Sequence, residues 1–269
     1  MSNKYLTQYF PNTIRQTTPL GRAYKDSNDE SEQPFLALSV TTILGLVLTK
    51  GAFFEMWLKN NGRHSNVIRD FKAHLGTVVH VLCEDLLNLR TVTLSTISEC
   101  IQRFITEQDL NEGGGYSAIQ RSVQLYLESF MAFHEDNEVE LFEAELQMFS
   151  PDIPYAGTAD IVGRLNGKTA IIDIKTGVES SQHDLQLCAY GALHNYLFPK
   201  NKIEELYVLY LKDGYKKKPT YKLSKVSWDR LEDWKYVLRL AISQHGKSGK
   251  WIFAKKYQPR KSFTLKGAK

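Results

Sequence analysis

Cysteine is scarce in this chain, and the few present are scattered. Cys83, Cys100 and Cys188 are the only three in 269 residues. With no C-x-x-C pair and no histidine-rich spacing around them, they exclude a disulfide framework and argue against a zinc site. Three thiolates also fall short of the four an iron–sulfur cluster usually takes, so no such cluster is expected. Long apolar runs are missing too. The longest, TTILGLVL at 41–48, is far too short to cross a bilayer. The first twenty residues are polar and lack the apolar region of a signal peptide. The expectation is a protein of a reducing intracellular compartment, either a bacterial cytoplasm or a DNA-containing compartment, that is not secreted and has no membrane partner. There is no internal repeat, no low-complexity block, and no G-x-x-x-x-G-K-[ST] loop of the kind that cradles nucleotide phosphates.

A large excess of one charge is absent as well, since the formal net charge is +4. Its distribution says more. Eight basic residues and no acidic one lie between Lys247 and Lys269, so the rest of the chain is net acidic. The same tail interleaves Trp251, Phe253, Tyr257 and Phe263. Basic residues with spaced aromatics suit a phosphate backbone with stacked bases, which makes Lys255, Lys256, Arg260, Lys261, Trp251 and Tyr257 candidate DNA contacts. The competing reading is a solvated tail whose aromatics pack on the domain.

Along the chain, residues 22–34 are polar and read as a loop. KGAFFEMWLKNNG reads as a short helix ending near Gly62, and segments 66–90, 93–108 and 116–135 carry helical periodicity. The pattern changes near residue 139. Three strands are expected in VELFEAELQMF, YAGTADIVGRL and KTAIIDIKTG, then a helix over 181–197, then further strands in EELYVLYLKDG and TYKLSKV. Ser227 is placed to cap a last helix running to His245. The expected fold class is α/β, with a helical N-terminal portion. The chain is expected to form one domain, 1–269, made of a mainly helical lobe (1–135), an α/β core (136–245) and the basic aromatic tail (246–269).

The most informative stretch is GTADIVGRLNGKTAIIDIKTG, residues 157–177. Asn166-Gly167 between two apolar runs is a strong hairpin signal, because a type I′ turn needs positive φ at both central residues. A two-residue turn fixes the register, so Leu165 faces Lys168 and Asp160 is predicted to face Asp173, with Cβ atoms about 5 Å apart. Lys175 lies on the same face as Asp173. Ala159, Ile161 and Leu165 against Ala170, Ile172 and Ile174 form the opposite, core face. Like charges opposite each other destabilise a sheet, and a shared divalent cation removes that conflict. Three other resolutions are open: the aspartates are exposed, one is protonated, or Lys175 simply pairs with one of them.

Asp160 followed by Asp173-Ile174-Lys175 across a hairpin resembles the signature of the PD-(D/E)xK nuclease superfamily. Two flanking elements strengthen the likeness. GTVVHVLCE, 76–84, resembles the G-x-x-x-H-x-x-x-E helix of the RecB-type nucleases, with Gly76, His80 and Glu84 climbing one helix face and Leu75, Val78, Val79, Leu82, Leu86 and Leu89 forming the apolar stripe. QLCAY, 186–190, resembles their Q-x-x-x-Y motif. The motifs occur in the family's order and cover roughly 70–215. SVTTIL, 39–44, also looks like a segment found near the N-terminus of phage and mitochondrial single-strand exonucleases of the superfamily. Relatives with a four-cysteine iron–sulfur cluster are not matched in that respect.

The resemblance implies a restriction-endonuclease-like core, a central mixed sheet flanked by helices. It implies one Mg²⁺ or Mn²⁺ held by His80, Asp160, Asp173 and the Ile174 backbone carbonyl, with Glu84 as an additional candidate and Glu145, expected at the start of its strand, as a weaker one. Asp160, Asp173, Lys175, Gln186 and Tyr190 would be the catalytic set. The implied activity is a metal-dependent DNA exonuclease acting on single strands or duplex ends, in replication, recombination or DNA degradation. Its oligomeric state is not determined by the sequence. An endonuclease on the same scaffold and a DNA-binding module without activity are the alternatives. A glycosidase using Asp160 and Asp173 as a carboxylate pair is disfavoured by the adjacent lysine and the basic tail.

Overall fold

The computed structural model describes residues 13–31, 35–48, 52–214, 220–247 and 250–251. The candidate contacts Lys255, Lys256, Tyr257, Arg260 and Lys261 lie outside the described residues. One eight-stranded sheet runs in the order β1-β2-β3-β5-β6-β7-β8, with β4 paired to β5 off that path. The strands are β1 (Thr13–Thr18), β2 (Gly21–Asp26), β3 (Ala37–Ser39), β4 (Val139–Met148), β5 (Tyr155–Leu165), β6 (Lys168–Lys175), β7 (Glu205–Lys212) and β8 (Thr220–Val226). The sheet is mixed: β3–β5 and β6–β7 are parallel, the other pairings antiparallel. No helix among the described residues is long and apolar enough to cross a membrane.

Helices cover both faces. On one side, α1 (Val40–Val47), α7 (Ser181–Leu197) and α8 (Arg230–His245) bury Ile43, Leu187, Leu193, Trp234 and Ala241 against Val162, Ile171 and Val208 of the sheet. On the other, α3 (Ser65–Leu87), α4 (Leu94–Phe104) and α6 (Tyr116–Asp136) bury Val78, Leu82, Ile101, Val123 and Phe130 against Ile161, Ile172 and Leu209. The other α-helices among the described residues are α2 (Ala52–Asn61) and α5 (Glu107–Glu112). A small hairpin, β9 (Gly246–Lys247) and β10 (Lys250–Trp251), follows α8. The architecture is the mixed α/β, helix-flanked sheet expected of a restriction-endonuclease-like core.

Three expectations are corrected and one is extended. The mainly helical N-terminal portion also carries β1 to β3, which precede the helices and join the main sheet, β3 pairing with Tyr155 and Ala156. GRAYKD at 21–26, read as loop from its polarity, is β2, which buries only Ala23 and Tyr24. Segment 93–108 is broken at Ile105, and the helix after it is restarted by the Thr106–Asp109 capping box. Ser227 lies ahead of the last helix, whose N-cap position is Asp229 with no side-chain cap bond.

The hairpin forms as its turn dictates. Asn166 and Gly167 have φ of 50° and 83°, and β5–β6 pairs run from Leu165↔Lys168 to Ile161↔Ile172. The ladder stops there, one step before Asp160 and Asp173. On the other edge of β5, pairing with β4 continues through Ala159, Thr158 and Gly157. Beyond the break the sheet turns over. Ala144 and Ile161 belong to the core under α3, whereas the next alternate residues, Leu146 and Ala159, belong to the core under α7. Ala159 therefore does not share a face with Ile161. The reversal falls at the row of Glu145 and Asp160, and Glu145 has a φ of 52°, a region non-glycine residues rarely enter.

Candidate active site

Where β5 and β6 part, the Ile174 backbone N–H no longer has a β5 carbonyl to meet, and it donates to Asp160 Oδ2 at 2.6 Å. Asp160 is buried and carries the ion-pair geometry of the site. His80, on α3, places Nδ1 3.5 Å from Asp160 Oδ2 and 4.0 Å from Glu145 Oε1. His80, Glu145 and Asp160 each offer one ligand atom, and these atoms lie within 4.8 Å of one another. One imidazole and two carboxylates in that space fit a hard divalent cation such as Mg²⁺ or Mn²⁺.

Asp173 occupies the neighbouring position on β6 and is 1% exposed. Gln186 Nε2 donates to its Oδ1 at 3.1 Å and to the Tyr190 hydroxyl at 3.0 Å. Asp173 Oδ2 makes no aligned hydrogen bond and has the Lys175 ammonium against it. Both oxygens of Asp173 are thus engaged by protein groups, and it stands beside the three-residue cluster rather than in it. Lys175 thus pairs with Asp173, one of the open resolutions, and the carboxylates that cluster are Glu145 and Asp160 rather than the expected Asp160 and Asp173.

The electrostatics follow from burial and pairing. Burial pushes Asp173 up to about 6; Lys175 opposes the rise and Asp160 adds to it. Burial and the Asp160 charge push Glu145 up to about 7, with Glu84 adding to the rise. Burial works against an ionised Asp160 too, but His80, Lys175 and the Ile174 N–H outweigh it and hold its carboxyl below the usual range. His80 is raised: Asp160 more than offsets the desolvation of its ring. Lys175 is likewise raised, because Asp173 and Asp160 outweigh burial. The row therefore holds one firmly ionised carboxylate flanked by two that accept protons near neutrality.

The remaining sequence candidates are placed as follows. Glu84, one turn beyond His80, is half-buried and acts on Glu145 electrostatically, outside the three-residue cluster. Gln186 and Tyr190 are buried on α7. A Cβ on Gly157 would lie 2.2 Å from Tyr190 Cε1, so the absence of a side chain there lets the ring reach the site. Gly76 faces Thr176 Oγ1, 3.3 Å from where its Cβ would be, and brings α3 close to the chain leaving β6. Trp251 is buried in the core under α7 and its Nε1 donates to the Pro154 carbonyl at 2.6 Å, so its ring packs instead of facing a base.

Glu145 is the residue the sequence undervalued. It sits seventh in a ten-residue strand, not at its start. The β4–β5 connection is a six-residue loop, which fixes no register, so nothing local announced that Glu145 would stand opposite Asp160. Its signal was available only through the pairing Ala144↔Ile161 and Leu146↔Ala159.

The model of the family described as the PD-(D/E)XK nuclease superfamily matches residues 57–259, about three quarters of the chain. Among solved structures, a protein of Eubacterium rectale provisionally named an exonuclease is 12% identical; the match covers 77% of this chain and 82% of that one, with a TM-score of 0.47. SSO0001 is 16% identical over 62% of this chain and 84% of its own, with a TM-score of 0.27. No curated protein matches.

Proposed function

The chain belongs to the PD-(D/E)XK nuclease superfamily, and from that premise we propose that it is a divalent-metal-dependent DNA exonuclease that hydrolyses phosphodiester bonds from ends, with a preference for single strands. Its work would be in replication, recombination or DNA degradation inside a cell. The observation that carries the reading is the cluster of His80, Glu145 and Asp160 within 4.8 Å, beside the Lys175–Asp173 ion pair. The span from β1 to α8 is read as one nuclease unit, since β1 to β8 share one sheet flanked by both helical layers.

His80, Glu145 and Asp160 would hold Mg²⁺ or Mn²⁺, with the Ile174 carbonyl and Asp173 as the further donors that the family resemblance implies. A bound ion supplies a water of lowered pKa and neutralises charge on the scissile phosphate. Asp173 orients the Lys175 ammonium, which donates to the attacking water or to a phosphate oxygen as charge develops there. Gln186 fixes Asp173 through Oδ1 and is itself fixed by Tyr190. The Ile174 N–H keeps Asp160 ionised and turned towards His80.

An endonuclease on the same scaffold is the second reading, and the basic, aromatic segment after Lys247 favours nucleic acid as the partner in either case. One digestion series tests both. End-labelled single-stranded, duplex, flap and circular DNA are incubated with Mg²⁺, with Mn²⁺ and without metal. Loss of linear single strands only in metal, with closed circles intact, is the expected result. Cleavage of circles makes it an endonuclease. Unchanged cleavage by Asp160→Asn removes the site assignment.

A further inference from the structure

One side chain near Lys175 has no place in that scheme. Lys175 pairs with Tyr210 across β6–β7, and Tyr210 with Lys222 across β7–β8. Directly paired residues share a face, so the three form a row across the sheet, about 10 Å long at the usual strand spacing. That length is enough for two neighbouring phosphates of one strand. The ammonium groups in and beside the row are already committed. Lys175 is held by Asp173, while Lys222 and Lys212 both reach Glu179, at 2.5 and 3.8 Å.

His183 lies over the middle of this row. It stands in the first turn of α7, half-buried, with Nδ1 2.9 Å from the Tyr210 hydroxyl and its ring centroid 5.7 Å from the tyrosine ring. With the Tyr210 hydroxyl donating its proton to Nδ1 of His183 across that contact, the imidazole proton sits on Nε2. Nε2 makes no hydrogen bond to protein among the described residues. Burial and the nearby Lys175 push the ring down to about 4, so it is neutral at working pH.

We infer that His183 is a substrate-contacting residue, a neutral Nε2–H donor to the phosphate adjacent to the scissile one on a single nucleic-acid strand lying along the Lys175–Tyr210–Lys222 row. The inference rests on the nuclease reading. It adds a contact whose signature differs from that of a lysine. A cation releases counterions on binding phosphate and sets the salt slope; a neutral donor adds affinity and leaves the slope alone.

The test uses the full chain and a labelled single-stranded oligodeoxynucleotide, bound in Ca²⁺ at several salt concentrations and then cleaved in Mg²⁺. His183→Ala is expected to weaken binding by about tenfold, as for loss of a hydrogen bond to a charged group. The slope against log salt stays unchanged and KM rises more than kcat falls. His183→Gln, whose amide N–H reaches the Nε2 position, restores most of the affinity; His183→Asn, which mimics Nδ1, does not. Binding by His183→Ala within twofold of wild type overturns the inference while leaving cleavage, and so the nuclease reading, intact. Equal loss in the Gln and Asn variants with an equal fall in Tm assigns His183 a packing role and also overturns it. A wild-type chain that neither binds nor cleaves the strand defeats the nuclease reading first, and this contact with it.

Discussion

Metal binding should be coupled to protons through Glu145. The carboxyl is pushed up to about 7 by burial and by Asp160 beside it, and a carboxylate must lose its proton before it can ligate a cation. On Glu145 alone, affinity therefore levels off above pH 8 and falls below it. Between pH 8 and pH 6, protonation of Glu145 alone weakens apparent binding by about tenfold. His80 is also raised, Asp160 more than offsetting its burial, and its protonation steepens the fall. Asp160 is held below the usual carboxylate range and does not titrate in this window. The assay is calorimetric titration of Mn²⁺ at pH 6, 7 and 8 in two buffers of different protonation enthalpy, which counts protons as well as affinity. At pH 6 binding is expected to displace about nine-tenths of a proton from Glu145, and at pH 8 about one tenth. Glu145→Gln should bind metal more weakly overall, with a pH dependence shallower by about one proton. A Kd that is the same at pH 6 and pH 8, or a Glu145→Gln variant that keeps the wild-type slope, refutes Glu145 as a ligand with a raised pKa.

Three further outcomes are expected. Gly157→Ala puts a methyl 2.2 Å from the Tyr190 ring; overpacking of about 1–3 kcal/mol should lower Tm by several degrees at roughly 2–4 °C per kcal/mol, and turnover should fall as Gln186 loses its partner, whereas an unchanged Tm would mean the ring has room to move. Lys175→Ala should cut turnover by about a hundredfold or more, as for other groups that stabilise developing charge, with oligonucleotide binding in Ca²⁺ reduced far less; equal losses would make it a binding lysine. Deletion of 252–269, which removes Lys255, Lys256, Arg260 and Lys261 but keeps Trp251, should flatten the salt dependence of DNA binding measured by fluorescence anisotropy. An identical slope would mean those residues do not meet phosphate.

What the sequence made legible was local. The Asn166-Gly167 turn determined β5, β6 and the approach of Asp160 to the Asp173–Lys175 segment, because a two-residue turn leaves no freedom of register. The four-residue spacing of Gly76, His80 and Glu84 placed the imidazole on the correct side of its helix, with Val78, Val79 and Leu82 buried behind it as the stripe required. Leu89, counted in that stripe, lies past the helix end with a φ of 58° and is 94% exposed. The features that escaped were non-local. β1 and β2 are short and polar and form a local hairpin, and they reach the main sheet only through the three-residue β3, which pairs with the sequence-distant β5. Glu145 reached the site through a bulged, loop-connected pairing that no short motif encodes. Tyr210 and His183 come together only because β7 lies parallel to β6 beneath α7.

The face reversal at Glu145 and Asp160 has a mechanical consequence. A regular strand would have hung the site from a single hydrophobic body; here one body grips it through the α3 imidazole and the other through the α7 amide, from opposite sides. Catalytic competence is then a property of the joint between the two halves, and turnover should fade on heating before either half loses its own secondary structure.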